Sequence, residues 1–139
     1  MNIRPFHIDD QAKVVELWHV CDLVRPQNDP ERDIARKLEV HPELFLVAER
    51  DGEIIGSVMA GYEGHRGWIN YLAVAPGQRR CGLGRQLMNE AIRRLHALGC
   101  PKVNLQVRRS NAEVVAFYKA IGFAVDNVTS LGKRLIPDN

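Results

Sequence analysis

Trp68-Ile69-Asn70-Tyr71-Leu72-Ala73-Val74-Ala75-Pro76-Gly77-Gln78-Arg79-Arg80-Cys81-Gly82-Leu83-Gly84-Arg85 reads as three parts in succession. Trp68–Val74 is apolar except for Asn70, which suits a strand covered on both faces at the centre of a sheet. Pro76–Leu83 is rich in glycine and arginine and reads as a loop. From Gly84 onward Leu87, Met88, Ala91, Ile92, Leu95 and Leu98 recur at helical spacing, and Gly99 closes the run. A strand, a loop and a helix start in that order place unpaired N–H groups and a partial positive charge at the end of the loop, where they attract phosphate. Gly82 and Gly84 let the backbone approach an anion with no Cβ in the way. Arg79, Arg80 and Arg85 add positive charge beside it. Two other phosphate loops are excluded. A dinucleotide fingerprint requires glycine where Leu87 stands and an acid near Asn104, and a P-loop requires Gly-Lys-Ser/Thr.

Working outward, Asn2–Phe6 reads as a first strand, and Asp9 or Asp10 as the cap of a helix carrying Val14, Val15, Leu17, Trp18 and Cys21. Pro26 and Pro30 keep Leu23–Pro30 irregular, and a second helix covers Glu31–Glu39, ending before Pro42. Leu44–Glu49 and Glu53–Gly61 read as strands joined by Asp51-Gly52, the favoured dipeptide of a two-residue hairpin. Tyr62–Gly67 is a polar turn. Downstream, Val103, Leu105 and Val107 alternate with polar residues in a strand over Lys102–Arg108. Ser110 and Glu113 form a capping box for a helix with Val114, Phe117, Tyr118 and Ile121 on one face, closed by Gly122. Phe123–Ile136 reads as two short strands. The order is β-α-α-β-β-β-α-β-α-β-β, an α/β (α+β) chain with a mixed sheet and helices on both faces.

With 139 residues, 45% hydrophobic and 26% charged, the chain has the size and composition of one globular domain, residues 1–139. A net charge of +2 does not announce a nucleic-acid protein. Arg79, Arg80, Arg85, Arg93 and Arg94 lack the interleaved aromatics that such a surface uses. The start MNIRPFHIDD has no apolar leader core, and no apolar run approaches the ~20 residues of a membrane span. Three unpaired-looking cysteines, Cys21, Cys81 and Cys100, suit a reducing compartment, so the expected location is the cytoplasm. No histidine pair has metal-ligand spacing, so no metal is expected.

Tyr71-Leu72-Ala73-Val74 followed by Pro76, Arg79-x-x-Gly82-x-Gly84, Asn111 with Tyr118 seven residues on, and Gly122-Phe123 together resemble the GNAT superfamily of acetyl-coenzyme A-dependent N-acetyltransferases. The resemblance covers nearly the full length. Arg25-Pro26-Gln27-Asn28-Asp29-Pro30 and Gly64-His65-Arg66-Gly67 resemble its small bacterial YpeA-type branch.

The resemblance implies a mostly antiparallel sheet of about six to seven strands and a direct transfer of acetyl from acetyl-CoA to a primary amine. It implies that backbone N–H groups of Arg79, Arg80, Cys81, Gly82, Leu83, Gly84 and Arg85 hold the pyrophosphate. The pantetheine arm would pair with backbone at Leu72, Ala73 and Val74, one of whose N–H groups faces the thioester oxygen. Asn111 would lie beside the pantetheine. Tyr118 would lie near the sulfur as general acid, since a phenol titrates close to a thiol. From position alone, Tyr118 reads equally as a core residue and Asn111 as a helix cap. Many relatives carry a glutamate on the strand matching Trp68–Val74, and this chain has none. Glu63 and His65, just before the strand, are the nearest candidates for the base, with Tyr71 a third. Asp29 is a candidate partner for a cationic amine, although aspartate before proline is also ordinary turn chemistry. A coenzyme A-binding module without turnover is the alternative reading. The acceptor, a small-molecule or peptide amine, is not specified, and a homodimer stays open.

Overall fold

The computed structural model describes residues 1–138 and divides into two compact units, Met1–Leu105 together with Asp138, and Gln106–Pro137. The first contains five strands, β1 (Asn2–Pro5), β2 (Phe45–Arg50), β3 (Glu53–Tyr62), β4 (Gly67–Val74) and β5 (Val103–Leu105), in the spatial order β1-β2-β3-β4-β5. Neighbours run antiparallel except β4 and β5, which run parallel. Its helices are α1 (Gln11–Val20), α2 (Pro30–Leu38) and α3 (Leu83–Ala97).

The hairpin between β2 and β3 turns at Asp51 and Gly52, with φ of 52° and 80°. Both central residues are left-handed, which matches the twist of the flanking strands. Helix α2 opens on Asp29, whose carboxylate accepts from the Arg32 N–H at 3.1 Å, with Pro30 in the first turn where no N–H is needed. Asp10 sits at the start of α1 but does not cap it. Its carboxylate instead accepts from the His7 N–H at 2.8 Å and pairs with Arg4 at 2.8 Å, closing a short 3-10 turn at Ile8–Asp10.

The sheet carries helices on both faces, as adjacent residues of β3 show. Ser57 accepts a hydrogen bond from Trp18 of α1, while at Gly56 the nearest side chains are Leu87 and Leu83 of α3. Ile34 of α2 joins Val14, Val15 and Trp18 in the core on the α1 face. Leu87, Met88 and Leu95 are fully buried on α3. Burying one side chain of that size contributes about 2 kcal/mol.

In the second unit α4 (Ala112–Ala120) is capped by Asn111, whose Oδ1 accepts from the Val114 N–H at 3.4 Å. The cap is therefore Asn111, not Ser110, because the helix starts one residue later than the capping-box reading sets it. Gly122, at φ 103°, ends it, and the N–H groups of Gly122 and Phe123 donate to the Lys119 and Tyr118 carbonyls.

The strand expected over Lys102–Arg108 forms only at Val103–Leu105. Neither strand expected in Phe123–Ile136 forms. There Val125, Val128 and Leu131 recur every three residues, not every two, and point outward at 77%, 77% and 91% exposure. The sheet accordingly has five strands rather than six or seven, and the order matches expectation up to α4.

Candidate active site

Strand β4 is broken in its middle by one extra residue. Asn70 faces Met59 and Ala73 faces Ser57, so three steps on β4 span two on β3. The excess is absorbed at Tyr71, whose φ of 51° is left-handed. Such a bulge turns the strand and takes backbone groups out of the ladder. A bulky residue does not adopt this φ without support. The Ser57 hydroxyl, fully buried, donates to the Tyr71 carbonyl at 2.9 Å and accepts from Trp18 Nε1 at 2.9 Å. The Trp18 indole stacks on the Tyr71 ring with centroids 3.7 Å apart.

On its other side β4 pairs with β5 only over Gly67–Ile69. Among the described residues Asn70–Val74 thus have no strand partner on the side away from β3, and an extended chain can pair there as an added strand would. At the end of this free stretch the Val74 carbonyl accepts from Arg79 Nε at 3.2 Å and from the Cys21 thiol at 3.4 Å.

The loop after β4 leads straight into α3. Pro76–Gln78 makes a 3-10 turn, Arg80 (φ 66°) and Gly82 (φ 79°) turn left-handed, and the helix starts at Leu83 with no side chain capping it. Its first N–H groups are therefore available to an anion. A Cβ built on Gly82 meets no atom within 4 Å, so the loop leaves open space at that point. Arg80, Cys81 and Arg85 are exposed around it, whereas Arg79 folds back onto β4. An open edge, uncapped helical N–H groups and exposed arginines fit a diphosphate carrying a long polar arm. Arg93 and Arg94 belong elsewhere, both paired with Glu90 on α3.

Glu63 and His65 lie together on the turn between β3 and β4. The Glu63 carboxylate accepts from the His65 and Arg66 N–H groups, and those two donors hold it below the ordinary carboxylate range. The turn is at the Gly67 end of β4, and four residue steps of strand, about 13 Å, separate Gly67 from Tyr71. Asp29 is engaged as the α2 cap and lies 3.5 Å from Arg32. Of the cysteines, Cys81 is exposed in the loop, Cys100 is buried, and Cys21 faces Val74 and Arg79. Among the described residues their thiols meet backbone carbonyls and the Arg79 guanidinium, not a histidine or a carboxylate that would take the thiol proton.

In the second unit Tyr118 is 8% exposed and packs edge-on against Phe117 and Phe123. Burial pushes its phenol up to about 12, which keeps it protonated and able to donate.

Sequence reasoning missed the bulge and the residues that hold it. The sequence is apolar on both sides of Asn70, so the slip of phase shows only in the structure, where the alternation of buried Ile69 and exposed Asn70 breaks at the half-buried Tyr71 and Leu72 before Ala73 is buried again. It also missed Asn28 and Asp33, which meet the Tyr71 hydroxyl from the α2 side. Asn28 Nδ2 donates to it at 2.7 Å, and the hydroxyl donates to Asp33 Oδ2.

Among the described residues, no group of three or more histidine, cysteine, aspartate or glutamate side chains could hold a metal, and no helix is long and apolar enough to cross a membrane. Residues 12–123 match the model of the acetyltransferase (GNAT) family. An acetyltransferase of Sodalis glossinidius is 50% identical over 99% of this chain and 98% of its own length. Chaetomium thermophilum Naa20, solved with a bisubstrate analogue, superposes with a TM-score of 0.73 at 28% identity, over 90% of this chain and 72% of that one. The aminoglycoside N-acetyltransferase AAC(6')-Iy, solved with a coenzyme A bisubstrate analogue, superposes at 0.78 and 20% identity, over 96% and 97%. The bulged strand, the uncapped helix behind it and these likenesses agree: the chain belongs to the acetyltransferase (GNAT) family.

Proposed function

We propose that the chain transfers the acetyl group of acetyl-CoA directly to a primary amine of a small molecule or peptide, as one catalytic domain spanning residues 1–139 and working in the cytoplasm. The observation that carries this reading is the free outer edge of β4 at its bulge, continuous with the uncapped start of α3. Backbone at Leu72, Ala73 and Val74 would pair with the pantetheine arm, and a β4 N–H at the bulge would donate to the thioester oxygen. The N–H groups of Arg79–Gly84, with Arg80 and Arg85 adding charge, would hold the pyrophosphate. Acetyl-CoA supplies an activated acyl group. The chain supplies orientation, a donor for the developing oxyanion and a path for two protons. On the family resemblance Tyr118 would be the donor to the departing sulfur and Asn111 would steady the arm, with Asp29, Glu63 and His65 the acceptor-side residues read from the sequence. The lack of a thiol–base pair favours direct attack over an acyl-enzyme.

Thermal denaturation with acetyl-CoA, NAD and ATP at matched concentration tests the donor. A ligand at a hundred times its Kd stabilises by about 2.7 kcal/mol. Acetyl-CoA should raise Tm well above the other two, and equal shifts would reduce the loop to a general anion patch. Thiol release across a panel of primary amines then tests transfer.

A further inference from the structure

We propose that Tyr71 takes the proton of the attacking amine and passes its own to Asp33, so that this pair, rather than the β3–β4 turn, deprotonates the acceptor. The inference rests on the acetyl-transfer reading and deepens it. Tyr71 is the residue whose left-handed φ makes the bulge, so its side chain is fixed beside the backbone proposed to hold the thioester. Its hydroxyl is oriented from two sides, donating to Asp33 Oδ2 and accepting from Asn28 Nδ2 at 2.7 Å. A phenol oxygen has two lone pairs, and Asn28 uses one. The second can accept a proton only if the phenol's own proton leaves, and Asp33 is the group placed to take it. The phenol alone does not serve as a base: burial, with Asp33 beside it, drives its pKa far up, so it stays protonated unless the carboxylate accepts.

Asp33 is suited to the second half of the transfer. Its side chain is 27% exposed, so a proton delivered there can leave to water. The groups facing the pair are Asn28 and Asp29 at the entry to α2, Tyr71 from β4, and Arg36 one turn along α2, whose Nη1 is 3.5 Å from Asp33 Oδ1. Arg36 is itself held by Asp138 at 2.7 and 2.9 Å, so its charge is largely answered elsewhere. By contrast the Glu63 carboxylate is spent on two turn N–H groups. The proton balance is complete. A protonated amine gives up two protons: the first goes to the Tyr71 oxygen as the phenol proton goes to Asp33 and on to water, then nitrogen bonds to the acetyl carbon, the carbon–sulfur bond breaks, and the second nitrogen proton balances the one the thiolate takes up.

The need for such a relay depends on the amine. A lysine-like amine of pKa ~10.4 is neutral in about one molecule in 2,500 at pH 7, whereas a weakly basic amine needs little help. The experiment compares wild type, Asp33→Asn and Tyr71→Phe with propylamine and with 2,2,2-trifluoroethylamine, which is largely neutral at pH 7. The amide introduced by Asp33→Asn still accepts from the phenol but cannot take a proton, and circular dichroism and the acetyl-CoA Kd check that each variant is folded. With propylamine both variants should lose ~10²-fold or more in kcat/KM, the range for losing general-base assistance. With trifluoroethylamine the loss should be under about threefold, since an amine that is already neutral has no first proton for the relay to take before it attacks. Equal losses with both amines, or wild-type rates in both variants, overturn the relay and leave acetyl transfer standing. Wild type binding acetyl-CoA but releasing thiol with neither of these amines nor any of the wider amine panel would remove the acetyl-transfer reading and the relay with it.

Discussion

Ser57 is a small residue with a large share in the site. It is fully buried, and its hydroxyl serves the Trp18 indole and the Tyr71 carbonyl at once. Ser57→Ala leaves the buried Trp18 N–H without a partner and takes a donor from the half-buried Tyr71 carbonyl, at about 1–3 kcal/mol for a buried group left unsatisfied. The expected loss is about 2–4 kcal/mol in urea denaturation, with the m-value unchanged. A loss below about 0.5 kcal/mol would mean that the bulge holds without it. Neither role is written in the sequence, where serine in Gly56-Ser57-Val58 looks like any polar interruption of a strand. Arg79 teaches the same lesson. Its charge is legible beside the loop, but its attachment to the Val74 carbonyl depends on a chain reversal that no local pattern encodes.

At the level of elements, patterns with a strong local cause were legible. Asp51-Gly52 turns the hairpin because both residues tolerate positive φ, and α3 follows its apolar stripe from Leu87 to Leu95. What failed was decided by partners. Val103–Leu105 pairs with β4 for three residues only, and Phe123–Ile136 forms no ladder at all. The contact of β3 with α3 is tight enough to test. A Cβ on Gly56 would stand 2.8 Å from Leu87 Cδ1, 3.2 Å from the Ala73 carbonyl and 3.3 Å from Leu83 Cδ2. The leucine ends can swing away, but the carbonyl belongs to the β3–β4 ladder. Gly56→Ala should therefore destabilise by about 1–3 kcal/mol, the usual cost of overpacking. Calorimetric Tm equal to wild type would show that α3 gives way freely.

Across the whole molecule, a net charge of +2 conceals a local ionic tie near the C-terminus. Asp138, its side chain 3% exposed, meets Arg36 at 2.7 Å and Arg32 at 3.3 Å. Hydrogen bonding from Arg36, then from Arg32, lowers its carboxyl to about 2. A carboxylate depressed in the folded state stabilises above its unfolded pKa of ~3.9 and loses that contribution as pH falls through the folded value. Asp138→Asn should lower Tm at pH 7, and the gap from wild type should close between about pH 4 and pH 2. A gap that persists well below the folded pKa would assign the effect to packing. The tie was illegible in the sequence because its partners stand about a hundred residues apart.

The left-handed step at Tyr71 belongs to the main chain, so heredity has no side chain at Leu72 through which to delete it. Drift at Leu72 is cheap so long as the newcomer is not proline. Drift at Trp18 and Ser57, interior positions remote from any solvent-borne molecule, is expensive because they hold the step in place. A saturation library scored for activity would then show Trp18 and Ser57, inside the protein, as intolerant positions along with the residues that touch the substrate.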